Sequence, residues 1–204
     1  MISKPLFHGH FATLVSVIIV NFNQKYFSRM CVEAIEKSIT DFDYEIIVVD
    51  NGSQDESVES LRALHRANRI HLVEAGKNLG YGKANNLGVQ HAKGEFVIIS
   101  NPDVFVQPDT MQKLFDHLQK NPDIGLIGPR LRYYNGEIQP SCRRHMTFGD
   151  LIIKRTPLKH LPAFKARLAR YLMQDFDHNQ VQDVELITGA YFLMSKSLYE
   201  QING

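Results

Sequence analysis

Residues 14–23 have the sequence LVSVIIVNFN, an apolar and largely β-branched run that ends in two asparagines. A continuous run of this kind is typical of a strand that is covered on both faces of a sheet. Similar runs occur at 44–53, YEIIVVDNGS, and at 95–103, EFVIISNPD. Each of the three therefore predicts a buried strand with polar residues at its carboxyl end.

Segments with helical spacing lie between and after these strands. The helices that we predict are Gln24–Ile39, Ser53 or Asp55 to Arg66, Tyr81–Ala92 with Gly94 as its C-cap, and Pro108–Lys120. A short strand at Ile70–Glu74 completes the alternation. Alternating strands and helices predict an α/β fold, with a mostly parallel central sheet flanked by helices and right-handed crossovers. Ligands of such sheets bind at the carboxyl ends of the strands.

Length and charge narrow the functional classes. The chain has 204 residues, with 23 Lys and Arg against 22 Asp and Glu. A net charge near zero gives no global attraction to nucleic acid or to anionic membranes, so such contacts need a local patch. Two cysteines make no disulfide framework and favour a reducing, cytoplasmic compartment.

The second half of the chain is less regular. We predict short strands at Ile124–Gly128, a hairpin around Asn135-Gly136 and a buried strand-like run at Val184–Met194. Ser195 is expected to cap a last helix.

The segment 154–172 combines apolar residues at helical spacing with cations and no acid. One interpretation is an amphipathic segment that contacts an anionic membrane peripherally. The other is a helix packed on the core with a solvated basic face.

Two turns carry residues suited to ligand chemistry. Pro102 disfavours a helical conformation at Asn101, so the strand end is fixed and presents the Asp103 carboxylate, a hard ligand for Mg²⁺ or Mn²⁺. Asp50 closes its strand and is able to accept hydrogen bonds from a sugar hydroxyl or a base N–H. Without a ligand, the first turn is only a solvated loop, and the second, Asp50-Asn51, is only a cap for the next helix.

Together these residues resemble a known family. The motifs, in family order, are VIIVNFN at 17–23, VVDNGS at 48–53, NLGYGKANNLG at 78–88 and NPD at 101–103. They are similar to the inverting family 2 glycosyltransferases, which have the Rossmann-like GT-A fold of nucleotide-diphospho-sugar transferases. The NPD form resembles the rhamnosyltransferase-like branch.

The resemblance implies roles on the donor side. Asp103 matches the metal-holding acid, and Asn101 stands where many members have an acid that contacts the ribose or the metal. Asp50, with Asn51 beside it, matches the acid that contacts the nucleotide base. Further residues implied in nucleotide-sugar binding are Asn21, Asn23, Gly80, Tyr81 and Asn85.

The resemblance also places Thr188, Gly189 and Ala190 beside the acceptor. The family's general base, an Asp of a Glu-Asp pair, is expected beyond Gly204, and no such pair occurs in the 204 residues. An inverting transfer needs this base to take the proton of the acceptor hydroxyl. The catalytic residue is therefore unassigned.

The leading hypothesis is a metal-dependent glycosyltransferase that transfers a sugar, with dTDP-rhamnose as a candidate donor, to a cell-surface or lipid-linked glycan. The alternative is a truncated or non-catalytic module that binds a nucleotide sugar. A nucleotidyltransferase fits less well, because residues 21–24 lack the Gly-rich, basic loop of those enzymes. Nucleic acid is not an expected partner. The expected location is cytoplasmic, with peripheral contact at the inner face of the cell membrane.

For domain organisation, we expect an N-terminal extension at 1–12 and one GT-A domain at 13–204. Its nucleotide-sugar-binding part would be 13–128, followed by an incomplete acceptor part at 129–204.

Overall fold

The computed structural model describes residues 13–145, 147–157, 161–174 and 176–204. The expected extension at 1–12 lies outside the described residues, as do residues 158–160 of the basic stretch. The described chain forms two compact units: the first ends at Gly128 and resumes at Gly189–Gly204, and the second is Pro129–Thr188.

The first unit contains the alternating elements. Its strands are β1 Leu14–Asn21, β2 Asp43–Asp50, β3 His71–Glu74, β4 Phe96–Ser100, β5 Leu126–Ile127 and β10 Tyr191–Ser195. Its helices are α1 Phe27–Ile35, α2 Ser57–Arg66, α3 Tyr81–His91, α4 Thr110–Lys120 and α7 Lys196–Gln201. The four strands predicted in the alternating half are confirmed within one residue at each end, the predicted bounds being Leu14–Val20, Tyr44–Val49, Ile70–Glu74 and Glu95–Ser100.

The six strands form one sheet in the order β3-β2-β1-β4-β10-β5. Strands β3, β2, β1 and β4 are parallel, and β10 runs antiparallel to both β4 and β5. The predicted mostly parallel sheet is therefore confirmed. Because β1 pairs with β2 on one side and β4 on the other, the carboxyl ends of these three strands are neighbours.

Both faces of β1 are covered. Val15, Val17, Ile18 and Ile19 are fully buried. On one face α3 lies so close that a Cβ on Gly88 would come within 2.4 Å of a methyl carbon of Ile18. This double coverage is the reason that the strand lacks polar alternation.

Position 94 requires a glycine for close packing and not, as predicted, for the C-cap of α3. Helix α3 ends at His91, with Ala92 in an extended conformation as its C-cap, so Gly94 is not the cap. A Cβ at Gly94 would lie 2.6 Å from the backbone oxygen of Leu14. The glycine therefore lets the chain enter β4 directly against β1.

The predicted helix starts are too early in three cases, because the first residues form turns. Helix α1 begins at Phe27, α2 at Ser57 and α4 at Thr110. Ser53 is not the cap of α2, whose N-cap is Glu56, and its hydroxyl bonds other loops instead. At the chain's last helix the prediction is confirmed, because Ser195 caps α7 by accepting from the backbone N–H of Leu198.

The second unit contains two short antiparallel pairs and two helices. The elements are β6 Leu131–Arg132, β7 Ile138–Gln139, β8 Cys142–Arg143, α5 Phe148–Arg155, α6 Pro162–Tyr171 and β9 Leu186–Ile187. Pairing of β6 with β7 confirms the predicted hairpin. Pairing of β8 with β9 shows that Val184–Met194 is not one strand. That run is divided between β9 and β10, because Thr188-Gly189 passes from one unit to the other.

No helix in the described part of the chain combines the length and the apolarity that a membrane span requires.

Candidate functional site

The polar residues predicted at three strand ends lie side by side. Asn21 at the end of β1 is in register with Asp50 at the end of β2, and Ile19 is in register with Ser100 at the end of β4. Asn101 follows directly. The sheet register therefore brings the three sequence-predicted segments to one edge.

Asn21 is the centre of a buried hydrogen-bond network. Its Nδ2 lies 2.8 Å from Asp50 Oδ1, 2.9 Å from Ser53 Oγ and 2.9 Å from Ser57 Oγ. Its Oδ1 accepts from the hydroxyl of Ser28 at 2.6 Å. Asn21 is fully buried and both ends of its amide have internal partners. The side chain therefore positions its neighbours.

Asp50 is held from two sides. Oδ1 accepts from Asn21, and Oδ2 accepts from the backbone N–H of Ser53 at 3.1 Å. The residue is 4% exposed. Each carboxylate oxygen has two lone pairs, so this carboxylate keeps acceptor capacity for a further donor.

Asn23 joins the loops that follow β1 and β2. It adopts a left-handed backbone conformation with φ of 53°, which asparagine tolerates better than most residues. Its backbone N–H donates to Ser53 Oγ at 2.9 Å, and its Oδ1 accepts from the N–H of Gln54 at 2.8 Å. The two loops are therefore fixed relative to each other.

Asn51 extends this network to the segment before α3. Its Nδ2 donates to Asn78 Oδ1 at 3.1 Å, and its Oδ1 accepts from the N–H of Leu79 at 2.8 Å. The same Asn78 oxygen accepts from the N–H of Gly80 at 2.8 Å. Asn51 is 3% exposed, so it ties these loops together from inside.

Gly52 is required by both conformation and space. Its φ is 80°, and a Cβ there would lie 2.6 Å from the carbonyl carbon of Lys77. Only glycine meets both conditions without a backbone shift.

The second turn of α3 carries a buried amide. Asn85 is 4% exposed, and its Oδ1 is one of three buried side-chain polar atoms without a hydrogen-bond partner among the described residues. Gly80 precedes the helix with φ of 82°. An unpaired buried carbonyl costs free energy unless a ligand or water supplies a donor.

Two residues of the edge contact the segment before β10. The Tyr81 hydroxyl donates to the backbone oxygen of Gly189 at 2.8 Å, and the Asn101 N–H donates to that of Ala190 at 2.7 Å. Thr188 bonds elsewhere: its N–H and its hydroxyl both donate to the backbone oxygen of Ser141 in the second unit. The structure therefore brings Gly189 and Ala190 to Tyr81 and Asn101, whereas the Thr188 side chain bonds within the second unit.

Asp103 differs from Asp50 in its surroundings. It is exposed, and its side chain has no hydrogen bond or ion pair with any residue that the structure describes. Its charge nevertheless reaches two neighbours. Burial raises the pKa of Cys31 to about 12 and raises that of Tyr81, and the negative charge of Asp103 adds to both increases.

Comparison with known proteins assigns this arrangement to a family. The sequence model described as "Glycosyl transferase family 2" matches residues 16–202. The chain belongs to glycosyl transferase family 2. The matched range includes the strand ends at Asn21, Asp50 and Asn101 as well as residues of both units.

Relatives within the family support this assignment. Glycosyltransferase GlyG of Streptococcus pneumoniae is 33% identical over 123 residues, which cover 60% of this chain and 40% of that protein. An N-acetylglucosaminyl-diphospho-decaprenol L-rhamnosyltransferase of Mycobacterium tuberculosis is 33% identical over 110 residues, which cover 48% of this chain and 35% of that protein. The chain thus matches less than half the length of these relatives.

A solved structure supports the expected fold. Mannosyltransferase PcManGT of Pyrobaculum calidifontis, in complex with GDP-Man and Mn²⁺, aligns with a TM-score of 0.62 and 19% identity. The alignment covers 98% of this chain and 50% of that chain. The expected GT-A fold of this family 2 chain is confirmed.

The side chains at the carboxyl ends of the strands fit a metal site that is completed by substrate phosphates and water. Among the described residues there is no cluster of three or more His, Cys, Asp or Glu side chains arranged to hold a metal ion. Mg²⁺ is commonly held by one or two carboxylates together with substrate phosphates and water. The exposed, unpaired Asp103 carboxylate meets that smaller requirement.

Two serines of the network were not predicted from the sequence. Ser28 in α1 and Ser57 in α2 are each 1% exposed, and both bond Asn21. Their signal is a serine on the buried face of an amphipathic helix, where an apolar residue is expected. Asn78 lies in the motif at 78–88, and its role depends on a contact with Asn51, 27 residues away.

Proposed function

We propose that this chain binds a nucleotide-diphospho-sugar at the carboxyl ends of β1, β2 and β4. In this proposal it forms the donor half of a metal-dependent, inverting glycosyltransferase. The observation that carries the proposal is the contrast between two acids at one sheet edge. Asp50 is buried and fixed by Asn21, whereas Asp103 is exposed and unpaired within the described chain.

The nucleoside is assigned to the loops after β1 and β2. Asp50 accepts a hydrogen bond from the base, and Asn51 fixes the adjoining backbone. The Asn21 side chain shapes the loop, because both ends of its amide already have internal partners. Asn23 fixes that loop to the next one through its Oδ1, which accepts from the N–H of Gln54.

The diphosphate is assigned to the turn after β4. Asp103 would hold Mg²⁺ or Mn²⁺, and Asn101 would bond the ribose. A divalent cation bound there neutralises charge on the departing nucleoside diphosphate. The Mn²⁺ in the structure of PcManGT supports divalent metal use by a protein of the same fold.

The transferred sugar is assigned to the start of α3. Gly80 allows close approach of backbone, Tyr81 lines the site, and the unpaired Asn85 Oδ1 accepts from a sugar or ribose hydroxyl. Such a bond would satisfy a buried acceptor that has no partner in the described chain.

The acceptor is proposed to lie beside Thr188, Gly189 and Ala190, and to be a cell-surface or lipid-linked glycan. The proton of its attacking hydroxyl needs a general base, which none of the residues assigned above supplies. We take dTDP-rhamnose as the first donor to test, since one relative is named as a rhamnosyltransferase.

The alternative is a module that binds a nucleotide sugar without turning it over. Transfer and hydrolysis assays on this chain distinguish the two, because only the enzyme releases nucleoside diphosphate from the donor.

The domain organisation and location follow the same proposal. The family match from 16 to 202 supports one GT-A domain at 13–204. Within it we propose a donor part at 13–128 and an acceptor part at 129–204. We propose a cytoplasmic setting at the inner face of the cell membrane.

Calorimetric titration with UDP, dTDP and GDP, with and without Mn²⁺, tests donor binding. We expect one nucleotide to bind with an affinity that Mn²⁺ raises, and we expect Asp103→Asn to abolish the Mn²⁺ effect. Asp123→Asn is the matched control, since Asp123 is also exposed but follows α4. No binding by any nucleotide, or an unchanged Mn²⁺ effect in Asp103→Asn, would overturn the proposal.

A further inference from the structure

The positive charge of the chain is concentrated in one stretch of the second unit. Residues 140–172 contain eight of the 23 Lys and Arg residues but only one of the 22 acids, Asp150. The rest of the chain is therefore acidic overall, although the whole is nearly neutral. This asymmetry gives the local basic patch that the net charge conceals.

Helix α5 exposes an apolar and basic stripe. Phe148 is 78% exposed and Ile152 is 45% exposed, and Arg155 is exposed as well. These positions are four and three residues apart, so they lie on one face of the helix. Ile153, on another face of α5, is only 4% exposed. The helix therefore buries one apolar face and exposes a second one.

Helix α6 exposes further apolar and basic side chains. None of its ten residues is buried. Leu161 at its N-cap is 49% exposed, and Lys165 and Arg170 are exposed. Within the described part of the chain, Arg155, Lys165 and Arg170 form no ion pair, so their charge is available to a partner.

The two helices are fixed to each other through the single acid. Asp150 and Thr147 form a capping box at the start of α5. Arg167 of α6 donates from Nε to Asp150 and from NH2 to Thr147 Oγ1 at 2.8 Å. The acid is thus neutralised internally, and Arg167 has a structural role that the unpaired cations do not share.

We propose that α5 and α6 bind an anionic lipid bilayer. The exposed side chains that we assign to this contact are Phe148, Ile152 and Arg155 of α5 together with Leu161, Lys165 and Arg170 at α6. Exposed apolar side chains accompanied by cations suit the boundary between headgroups and acyl chains, because the apolar groups leave water there and the cations are attracted to anionic headgroups. The inference deepens the proposed membrane setting and does not depend on donor binding.

Flotation with vesicles tests the inference. The full chain is mixed with vesicles of phosphatidylcholine alone or of phosphatidylcholine with phosphatidylglycerol, and centrifuged through a density gradient. We expect flotation only with the anionic vesicles, and we expect added salt to weaken it because the attraction between charges is screened.

Two variants separate the charges from the apolar stripe. Removing Arg155, Lys165 and Arg170 together by substitution with Gln should lower the partition coefficient roughly 100-fold, at about fivefold for each cation near an anionic surface. Phe148→Ser with Ile152→Ser should also reduce flotation, and should leave the salt dependence in place.

Matched controls come from the first unit. Lys37→Gln, Lys93→Gln and Lys120→Gln together remove three exposed cations, and Ile39→Ser with Ile202→Ser removes two exposed apolar side chains. Both controls should float like the unchanged chain. Circular dichroism and thermal unfolding identify any variant that has lost its fold.

Three outcomes would overturn the inference: no flotation with anionic vesicles, equal flotation with neutral ones, or equal losses in the control variants. Binding to RNA or to an acidic protein without vesicle binding would also overturn it. Nucleotide titration of the same preparations keeps the two proposals separate, since a chain that binds nucleotide but not vesicles loses only the membrane inference.

Discussion

Two regions of the candidate site are built in opposite ways. The loops at 21–23, 50–53 and 78–80, which we call the tied loops, are held by side-chain hydrogen bonds between distant segments. The turn at 101–103, which we call the open turn, is held at Asn101: its N–H donates to the backbone oxygen of Ala190, and its own backbone oxygen accepts from the Val104 N–H and from the side chains of Ser100 and Cys31. Polar side chains of the tied loops bond one another across distant segments. In the open turn, the Asp103 side chain has no partner in the described chain and remains available to a ligand.

The difference indicates which part of a ligand each region is suited to bind. A preformed pocket for a rigid base suits buried, fixed polar groups, because ordering them costs nothing when the ligand binds. A site completed by a metal and phosphates suits an exposed carboxylate, which loses no internal partner when it binds. Substitutions should therefore damage folding in the tied loops and ligand binding in the open turn.

The largest effect is expected from Asn21→Ala. The substitution leaves Ser28, Ser57 and the Asp50 carboxylate without a shared partner in a buried site. Each orphaned buried group costs about 1–3 kcal/mol, so we expect a loss of about 3–4 kcal/mol in the free energy of unfolding. Urea unfolding followed by circular dichroism measures it.

Asn121→Ala is the control for this prediction, since Asn121 makes a single side-chain bond, to the backbone oxygen of His117. We expect it to cost about 1 kcal/mol or less. If Asn21→Ala costs no more than this control, the network does not hold the tied loops together.

Gly52→Ala should have the next largest effect. A residue with Cβ at φ of 80° is strained by about 1–2 kcal/mol, and the clash with the backbone of Lys77 adds to that strain. Gly136→Ala is the control, since Gly136 has a similar φ of 85° with open space around its Cβ. The difference between the two unfolding free energies isolates the clash, and equal values would show that the loops move apart easily.

The tied loops could be located from the sequence but not explained by it. Strand ends at Asn21, Asp50 and Asn101 follow from the apolar runs and from the rule for parallel sheets. The function of Asn21 depends on partners 29 to 36 residues away, and those contacts exist only once the register of β1 and β2 is set. Periodicity contains no information on such pairs.

The same limit applies to the second half of the chain. Val184–Met194 is one apolar run in the sequence, but its two parts pair with different strands, β9 with β8 and β10 with β4. Tertiary pairing, not local preference, decides where the strand is interrupted. The contacts of Tyr81 and Asn101 with Gly189 and Ala190 could not be predicted for this reason.

A smaller effect, outside both regions, comes from acidification. Burial lowers the pKa of His71 below its ordinary 6.5, and the charges of His91 and His65 lower it further; Glu45 opposes this shift and Lys93 adds to it. The folded state therefore binds the proton less readily than the unfolded state. Stability that is present above about pH 6.5 is lost as the pH falls from that value through the lowered pKa of His71 in the folded state.

Urea unfolding between pH 7.5 and pH 5.5 measures this dependence, and His71→Gln should flatten it. His178→Gln, in the second unit, is the control and should leave the slope unchanged. A slope that persists in His71→Gln would place the acid-sensitive group elsewhere, and the two regions of the site would then be the first places to examine.

The smallest effect on stability is expected from Asp103→Asn, and this is the sharpest test of the comparison. Asp103 is exposed and has no partner in the described chain, so its substitution should change the free energy of unfolding by less than about 0.5 kcal/mol. Asp50→Asn places an amide beside the donors of Asn21 and Ser53, and should cost about 1–2 kcal/mol. Yet Asp103→Asn is the variant that should abolish the effect of Mn²⁺ on nucleotide binding. If it destabilises the chain as much as Asp50→Asn does, then Asp103 is part of the folded scaffold, and an open turn that remains free for a metal is the wrong description.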